Sequence, residues 1–330
     1  MINPPLVSVV IPCYNAAAWL RETLDSALRQ TGVNLQVILI DDGSTDGSAE
    51  IAAREFPQVE LSRTEHRGAS RARDCGLRAA RGEYIQFLDA DDLLLEGKIA
   101  RQCAHLISTG ADIVYSDWRY LVETDEGMFQ PSTLCTQQMR GAPELELFMD
   151  FWAPNSAYLF RRRMVEAVGG FNETLPILQD ARFVLDCALN GARFTYLPGE
   201  VSRYRRHAAQ ISGNRVAFVR DMLTNAVQVQ AWWVTHGGIT VERHAALVAV
   251  YGNVARMSYE VDRATFWEAY RAVLQLEPHY VPAHPRGLAF LTRVVGYPRA
   301  EALAREYRSL KRAVRKLVGE PSPEHLRAMN

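Results

Sequence analysis

The sequence predicts an α/β fold: a mostly parallel central sheet flanked by helices on both faces, followed by an α-helical C-terminal extension. Three observations carry this. Short β-branched runs alternate with helical patterns through the first half of the chain. Acidic and turn-forming residues sit at the carboxyl ends of those runs. Beyond about residue 213 the strand patterns vanish and helical periodicity continues to the end. The expected division is therefore 1–213 for the α/β domain and 214–330 for the helical region.

LVSVVIP reads as the first strand, and the helix expected near 16–30 places Leu20, Leu24 and Leu28 on one face. LQVILI is the second strand, followed by the turn DDGSTDGS and a helix to about Phe56. A short third strand near 59–63 precedes a helix over 68–81, whose small residues imply close packing on the sheet. YIQFL is the fourth strand, and its end carries Asp89, Asp91 and Asp92. ADIVYSDWRYLV gives a strand with an extension, then a polar loop with Gly127 and Pro131. Helices are expected near 143–151, 161–168 and 180–190, the last stopping at Asn190-Gly191, and strands near 193–197 and 201–205 close the domain. In the last helix Leu303, Tyr307, Leu310, Val314 and Leu317 recur at steps of three and four, with Arg305, Arg308, Lys311, Arg312, Arg315 and Lys316 on other faces. The simplest expectation is that this stripe packs on neighbouring helices. A peripheral contact with anionic membrane lipid and a homodimer interface are the other two readings.

Composition narrows the function classes. In 330 residues, 48% are hydrophobic and 23% charged, an ordinary globular balance. A formal net charge of −1 removes any general electrostatic case for binding nucleic acid. The five cysteines, Cys13, Cys75, Cys103, Cys135 and Cys187, never form a C-x-x-C pair, which suits a reducing compartment without structural zinc. The N-terminus has no charged start with an apolar core, and no apolar run approaches the roughly 20 residues of a membrane helix. A cytoplasmic protein is expected, with the inner membrane face as its peripheral alternative.

Ligands of open α/β sheets bind outside the carboxyl ends of the strands. Here those ends carry Pro12-Cys13-Tyr14-Asn15, Asp41-Asp42-Gly43-Ser44 and Asp89-Ala90-Asp91-Asp92. Neither a G-x-G-x-x-G dinucleotide turn nor a P-loop follows the first strand. DDGSTDGSAEIAA has calcium-loop spacing at Asp42, Ser44, Asp46 and Gly47, but Ala53 stands where that loop needs Glu. What remains is an Asp-x-Asp at a strand end. Crowded carboxylates repel unless something positive lies between them. Two acidic side chains with a diphosphate make a sensible coordination set for Mn2+ or Mg2+.

The segments VSVVIPCYNAAAWLRETLDSALRQT, VILIDDGSTDGS, HRGASRARDCGLRAARGEYIQFLDADD, VGGFNETLPILQDARFVLDCALNGARF and YRRH span residues 7–207. Together they resemble the family 2 glycosyltransferases of the GT-A fold, a Rossmann-like architecture whose members invert the anomeric centre of a nucleotide-activated sugar. The resemblance implies that Tyr14 lines the base pocket and Asp41 bonds the nucleobase, with Pro12, Asn15, Asp42 and Ala90 on the donor side. It implies Asp89 near ribose or phosphate, Asp91 on the metal, and His207 on metal or diphosphate with Arg205 nearby. Arg71 and Arg73 are candidates for donor phosphate, and Asp180 matches the catalytic base. Trp152, Asn155 and Gln179 are acceptor-side candidates; the family commonly has Glu at the position of Gln179, and Asn where Asp74 follows Arg73. The implied partners are a nucleotide-sugar donor, with UDP expected, and a glycan or lipid-linked acceptor in cell-surface polysaccharide or glycan assembly. Two rivals remain: a catalytically silent nucleotide-sugar-binding module, and a sugar nucleotidyltransferase.

Overall fold

The computed structural model describes residues 4–124, 127–207, 210 and 213–318, with side chains of the last helix described through Lys311. The chain divides into two compact units, Met1–Ile211 and Ser212–Asn330.

The first unit is built in chain order from β1 (Leu6–Cys13), α1 (Leu20–Leu28), β2 (Asn34–Asp41), α2 (Ser48–Glu55), β3 (Glu60–Arg63), α3 (Ala69–Ala79) and β4 (Tyr84–Phe87). It continues through β5 (Leu93–Leu94), α4 (Lys98–Thr109), β6 (Ile113–Glu123), β7 (Phe129–Cys135), α5 (Pro143–Met149) and a 3-10 turn at Asn155–Ala157. It ends with β8 (Tyr158–Arg161), α6 (Arg162–Val168), α7 (Gln179–Leu189) and β9 (Phe194–Arg206). Among the described residues one sheet runs in the order β3-β2-β1-β4-β8-β6-β9-β5, with β7 added to β6. The predicted α/β architecture is present. Its first four strands pair in parallel, whereas β8, β7 and β5 pair antiparallel with their neighbours, so the second half of the sheet is mixed.

Strand alternation sorts side chains between two cores. Val7, Val9 and Ile11 of β1 face one cluster with Leu20 and Leu24 of α1 and Ile99 of α4. Val10 faces the other, with Ala72 of α3, Phe87, Phe160 and Phe183. The small residues of α3 do allow close approach: a Cβ on Gly76 would lie 2.4 Å from Val10 Cγ1.

Three elements differ from expectation. The strands expected at 193–197 and 201–205 are one strand, β9, whose register against β6 shifts around Asp117. Asp117 accepts hydrogen bonds from Tyr196 Oη at 2.5 Å and from Gly199 N at 2.7 Å, and Gly199 has φ +108°, so Pro198-Gly199 is a bulge rather than a break. The polar loop around Pro131 is partly strand: β7 pairs only with β6 and so tolerates a proline on its free edge. The short β8 and β5 carry no pattern of their own.

The second unit comprises α8 (Arg215–Thr235), α9 (Val241–Ser258), α10 (Arg263–Leu276), α11 (Arg286–Val295) and α12 (Tyr297–Val318). Asn214, Thr240 and Asp262 cap the first three through side-chain oxygens. Trp233, Tyr251, Phe266 and Tyr297 fill the core. The apolar stripe of α12 does not pack on its neighbours as expected: Leu303, Tyr307 and Leu310 are 45%, 66% and 65% exposed. Val314 and Leu317 lie beyond the described side chains. No described helix is long and apolar enough to cross a membrane.

Candidate active site

β1 has β2 on one side and β4 on the other, so the chain reverses its direction of travel across the sheet at β1. Such a switch point opens a crevice at the carboxyl ends of the strands, and the three chemically unusual strand ends meet there. The first two are locked together. Asn15 N donates to Ser44 Oγ at 2.9 Å, Ala16 N to Ser48 Oγ at 3.0 Å and Ala17 N to Asp46 Oδ2 at 2.8 Å. In return Thr45 N donates to Asn15 Oδ1 at 2.9 Å. Asn15 adopts φ +51°, in the left-handed region that its short amide tolerates.

At the end of β4 each carboxylate has a different partner, which explains how the three coexist. Asp89 forms an ion pair with the buried guanidinium of Arg73. Asp91 Oδ2 lies 2.9 Å from His207 Nε2. Asp92 is fully buried and accepts from Ser156 Oγ at 3.2 Å and Arg205 N at 3.0 Å. Burial first, then the charges of Asp91 and Asp89, push its pKa well above the usual carboxylate range. Ala90 is buried, and its carbonyl accepts from Thr23 Oγ1 at 3.0 Å, fixing the loop to α1.

Arg205 braces this loop from β9. Its Nε donates to the Asp91 carbonyl at 2.8 Å and its Nη2 meets Glu22 at 2.6 Å. Arg205 thus braces the loop through Nε and Nη2, beside the donor contact expected of it. His207 follows β9, and its ring stacks on Trp19 with centroids 3.9 Å apart. The imidazole is thus clamped between an indole face and Asp91. Its Nδ1 is buried without a hydrogen-bond partner among the described residues.

Asp180 stands in the first turn of α7, half-buried, with Oδ1 accepting its neighbour Ala181 N at 2.7 Å. Burial raises its pKa, the Arg73 guanidinium lowers it and Asp89 raises it, so one arginine serves two carboxylates. Arg73 Nε and Nη1 are buried and make no hydrogen bond, and its guanidinium lies 5.4 Å from the Phe171 ring centroid. Arg73 is therefore a buried counter-ion of Asp89 and Asp180. Gln179 is also spoken for: its Oε1 accepts from Ser70 Oγ at 2.6 Å and its Nε2 donates to the Pro176 carbonyl at 3.3 Å, tying α7 to α3.

Trp152 lies half-buried in an edge-to-face aromatic group with Trp118 and Tyr204, at centroid distances of 5.3 and 5.4 Å. Tyr204 sits close to the acids: burial raises its pKa, and Asp92, Asp89, Asp180 and Asp91 add to the rise. Asn155 is fully buried in the 3-10 turn, with both amide atoms unpartnered among the described residues.

On the nucleotide side, Pro12 is buried within β1 and Tyr14 is 48% exposed, stacked on His66 with centroids 3.9 Å apart. Asp41 is buried; its Oδ1 accepts from Ser44 N at 3.3 Å, while Oδ2 lacks a hydrogen bond and lies 3.2 Å from Arg63 Nε. Asp42 instead organises the start of α3, accepting from Arg67 N at 2.9 Å and Gly68 N at 2.8 Å and facing His66 Nδ1 at 2.9 Å. Arg71 pairs at the surface with Glu173. A cavity of about 330 Å³ beside α3 is lined by Asp42, Thr64, Arg67, Arg71 and Glu173, among others; Asp91, Asp180 and His207 are not in its wall, so it is not the reacting centre.

The sequence reading missed Trp19, His66 and Tyr204. Each is recognisable only through a partner distant in the chain, although His66 immediately precedes the Arg67-Gly68 turn that opens α3. For a metal, the described residues hold no group of three or more His, Cys, Asp or Glu side chains. The convergence of Asp91 and His207 provides two protein donors. That pair fits Mn2+ or Mg2+ completing its shell with water and phosphate oxygens, and does not fit a closed structural metal site.

The chain matches the model for glycosyl transferase family 2 over residues 8–166. It is 30% identical over 256 residues to the uncharacterized protein MT1568 of Mycobacterium tuberculosis, covering 71% of this chain and 77% of that protein. The chain belongs to glycosyl transferase family 2. This family 2 chain is also 30% identical over 217 residues to the uncharacterized glycosyltransferase EpsJ of Bacillus subtilis, a match spanning 62% of either length. Its fold resembles the crystal structure of S. aureus TarS 1–349 in complex with UDP, with TM-score 0.61, 17% identity and 91% of each chain covered. A second crystal structure of TarS 1–349 is in complex with UDP-GlcNAc.

Proposed function

We propose that this family 2 member is an inverting glycosyltransferase that moves a sugar from a nucleotide-diphosphate sugar, UDP-linked, to a hydroxyl of a glycan or lipid-linked acceptor during cell-surface glycan assembly. The observation that carries the reading is one crevice with two kinds of carboxylate: Asp91 facing His207, and Asp180 held apart from it on α7 beside Arg73. The UDP and UDP-GlcNAc complexes of TarS support the nucleotide.

Roles follow from chemistry. Tyr14 and His66 offer aromatic faces for a base, and the unbonded Oδ2 of Asp41 is an acceptor for an imide N–H. Asp91 and His207 would hold the divalent cation, which when bound supplies positive charge for the departing diphosphate. Asp180 takes the proton of the attacking acceptor hydroxyl, and its burial makes it a stronger base than a solvated aspartate. Arg73 keeps Asp89 and Asp180 tolerable in one space. Trp152 and Tyr204 present an aromatic edge on which a sugar ring can rest. Direct displacement by the hydroxyl inverts the anomeric carbon and needs no protein nucleophile.

The test is a panel of UDP-sugars with manganese, read by UDP release and by the anomeric configuration of the product. Release from one sugar with inverted product supports the proposal. Binding of UDP without turnover of any sugar would favour the silent module, and pyrophosphate formation from a nucleoside triphosphate and a sugar phosphate would favour a nucleotidyltransferase.

A further inference from the structure

The last helix leaves the helical unit with an apolar seam uncovered. α12 is anchored at its start, where Tyr297, Ala300 and Glu301 are buried, and Arg308 pairs with Glu260 at 3.0 Å. From there outward Arg305, Glu306, Tyr307, Ser309, Leu310 and Lys311 are all exposed, so the helix stands clear of its unit on nearly every side. A few turns of unsupported helix are marginal in water. An exposed row of Leu303, Tyr307 and Leu310 adds an apolar surface that a partner would remove from solvent.

The spacing identifies the partner. Leu303, Tyr307, Leu310, Val314 and Leu317 follow steps of three and four without interruption, a heptad in which Tyr307 and Val314 take a positions and Leu303, Leu310 and Leu317 take d positions. A helix lying on a bilayer shows a broad apolar face, whereas a strict a/d row is the narrow seam of a coiled coil. Charge makes the same choice. Glu306 falls at g and Lys311 at the following e, the pair that meets across a parallel two-stranded coil. Neither has an ion-pair partner within the chain among the described residues. By spacing alone Arg305, Arg308, Arg312, Arg315 and Lys316 take b, c and f positions, which do not meet across a two-stranded coil. An antiparallel coil would set g against g and e against e, so Glu306 and Lys311 would not face each other.

We propose that α12 pairs in parallel with α12 of a second copy of this chain, making the protein a homodimer through a short coiled coil. The experiment is sedimentation equilibrium of the full chain across micromolar concentrations, with circular dichroism and the thermal midpoint followed in parallel to show that each variant keeps its fold. The expected result is a dimer that Leu310→Asp converts to monomer. Glu306→Lys and Lys311→Glu should each raise the dimer Kd roughly fivefold, and the double variant should restore it. A monomer at every concentration would overturn the proposal, as would a dimer indifferent to Leu310→Asp and to both charge variants. Flotation of the wild-type chain, but not Leu310→Asp, with anionic phosphatidylserine vesicles, in a protein that stays monomeric, would assign the seam to a membrane instead. None of these outcomes depends on the proposed transfer reaction, so the two readings stand or fall separately.

Discussion

Asp180 and Asp91 occupy one crevice, yet their surroundings differ. Burial raises the pKa of Asp180 despite the nearby Arg73 guanidinium, whereas Asp91 faces an imidazole. A base must be deprotonated to act, so turnover should climb as pH rises through the elevated Asp180 pKa. The acid limb of kcat should therefore lie above the ordinary aspartate value of about 3.9; a limb at or below that value would remove Asp180 as the base. Stability has the opposite sign. A carboxyl whose folded pKa is raised contributes most below its unfolded pKa, and that contribution is lost as pH rises through the folded value. Asp180→Asn should consequently hold or raise Tm at neutral pH while transfer falls by about 10²–10⁴-fold with UDP affinity kept. A lower Tm with unchanged transfer would make Asp180 a structural residue. The motifs point to Asp180, Asp91 and His207, and the structure sets Asp91 beside His207. Trp19 and His66 were not legible, because stacking on His207 and Tyr14 joins residues whose separation in sequence carries no periodic signal.

At the scale of elements, the site depends on how closely α3 lies on the sheet, since α3 carries Arg73. A methyl group at Gly76 would sit 2.4 Å from the buried Val10 Cγ1. Gly76→Ala should therefore cost about 1–3 kcal/mol, read as a lowered denaturation midpoint, and should weaken the Arg73–Asp89 pairing enough to reduce turnover. An unchanged midpoint would mean that the helix shifts freely and does not fix Arg73. The parallel half of the sheet was readable because each strand is a buried apolar run bounded by turn residues. The antiparallel half was less so: β5 has two residues, β8 has four, and β9 reads as two strands because a proline and a glycine interrupt its pattern at the bulge. Those strands are specified by neighbours such as β6, through Asp117, rather than by their own composition.

Across the whole molecule, resemblance and structure speak to the same region. The motif-bearing stretch supplies the strand ends, the family 2 match covers residues 8–166, and Asp180 and His207 lie beyond that match yet return to the same crevice through α7 and β9. The helical unit carries no motif, and its last helix was misjudged as packed because periodicity shows that a face is apolar without showing what covers it. A net charge of −1 gives no general electrostatic drive toward nucleic acid, and the proposed cation at Asp91 and His207 is the part of the account most open to direct test. The direct measurement is calorimetry of UDP binding with manganese and with EDTA, on the wild type, Asp91→Ala and His207→Ala. The account predicts that manganese tightens UDP binding to the wild type by about tenfold or more, close to 1.4 kcal/mol, and that either substitution abolishes the gain. Equal affinity in manganese and EDTA, or a manganese effect that survives both substitutions, would contradict the assignment of Asp91 and His207 to the metal.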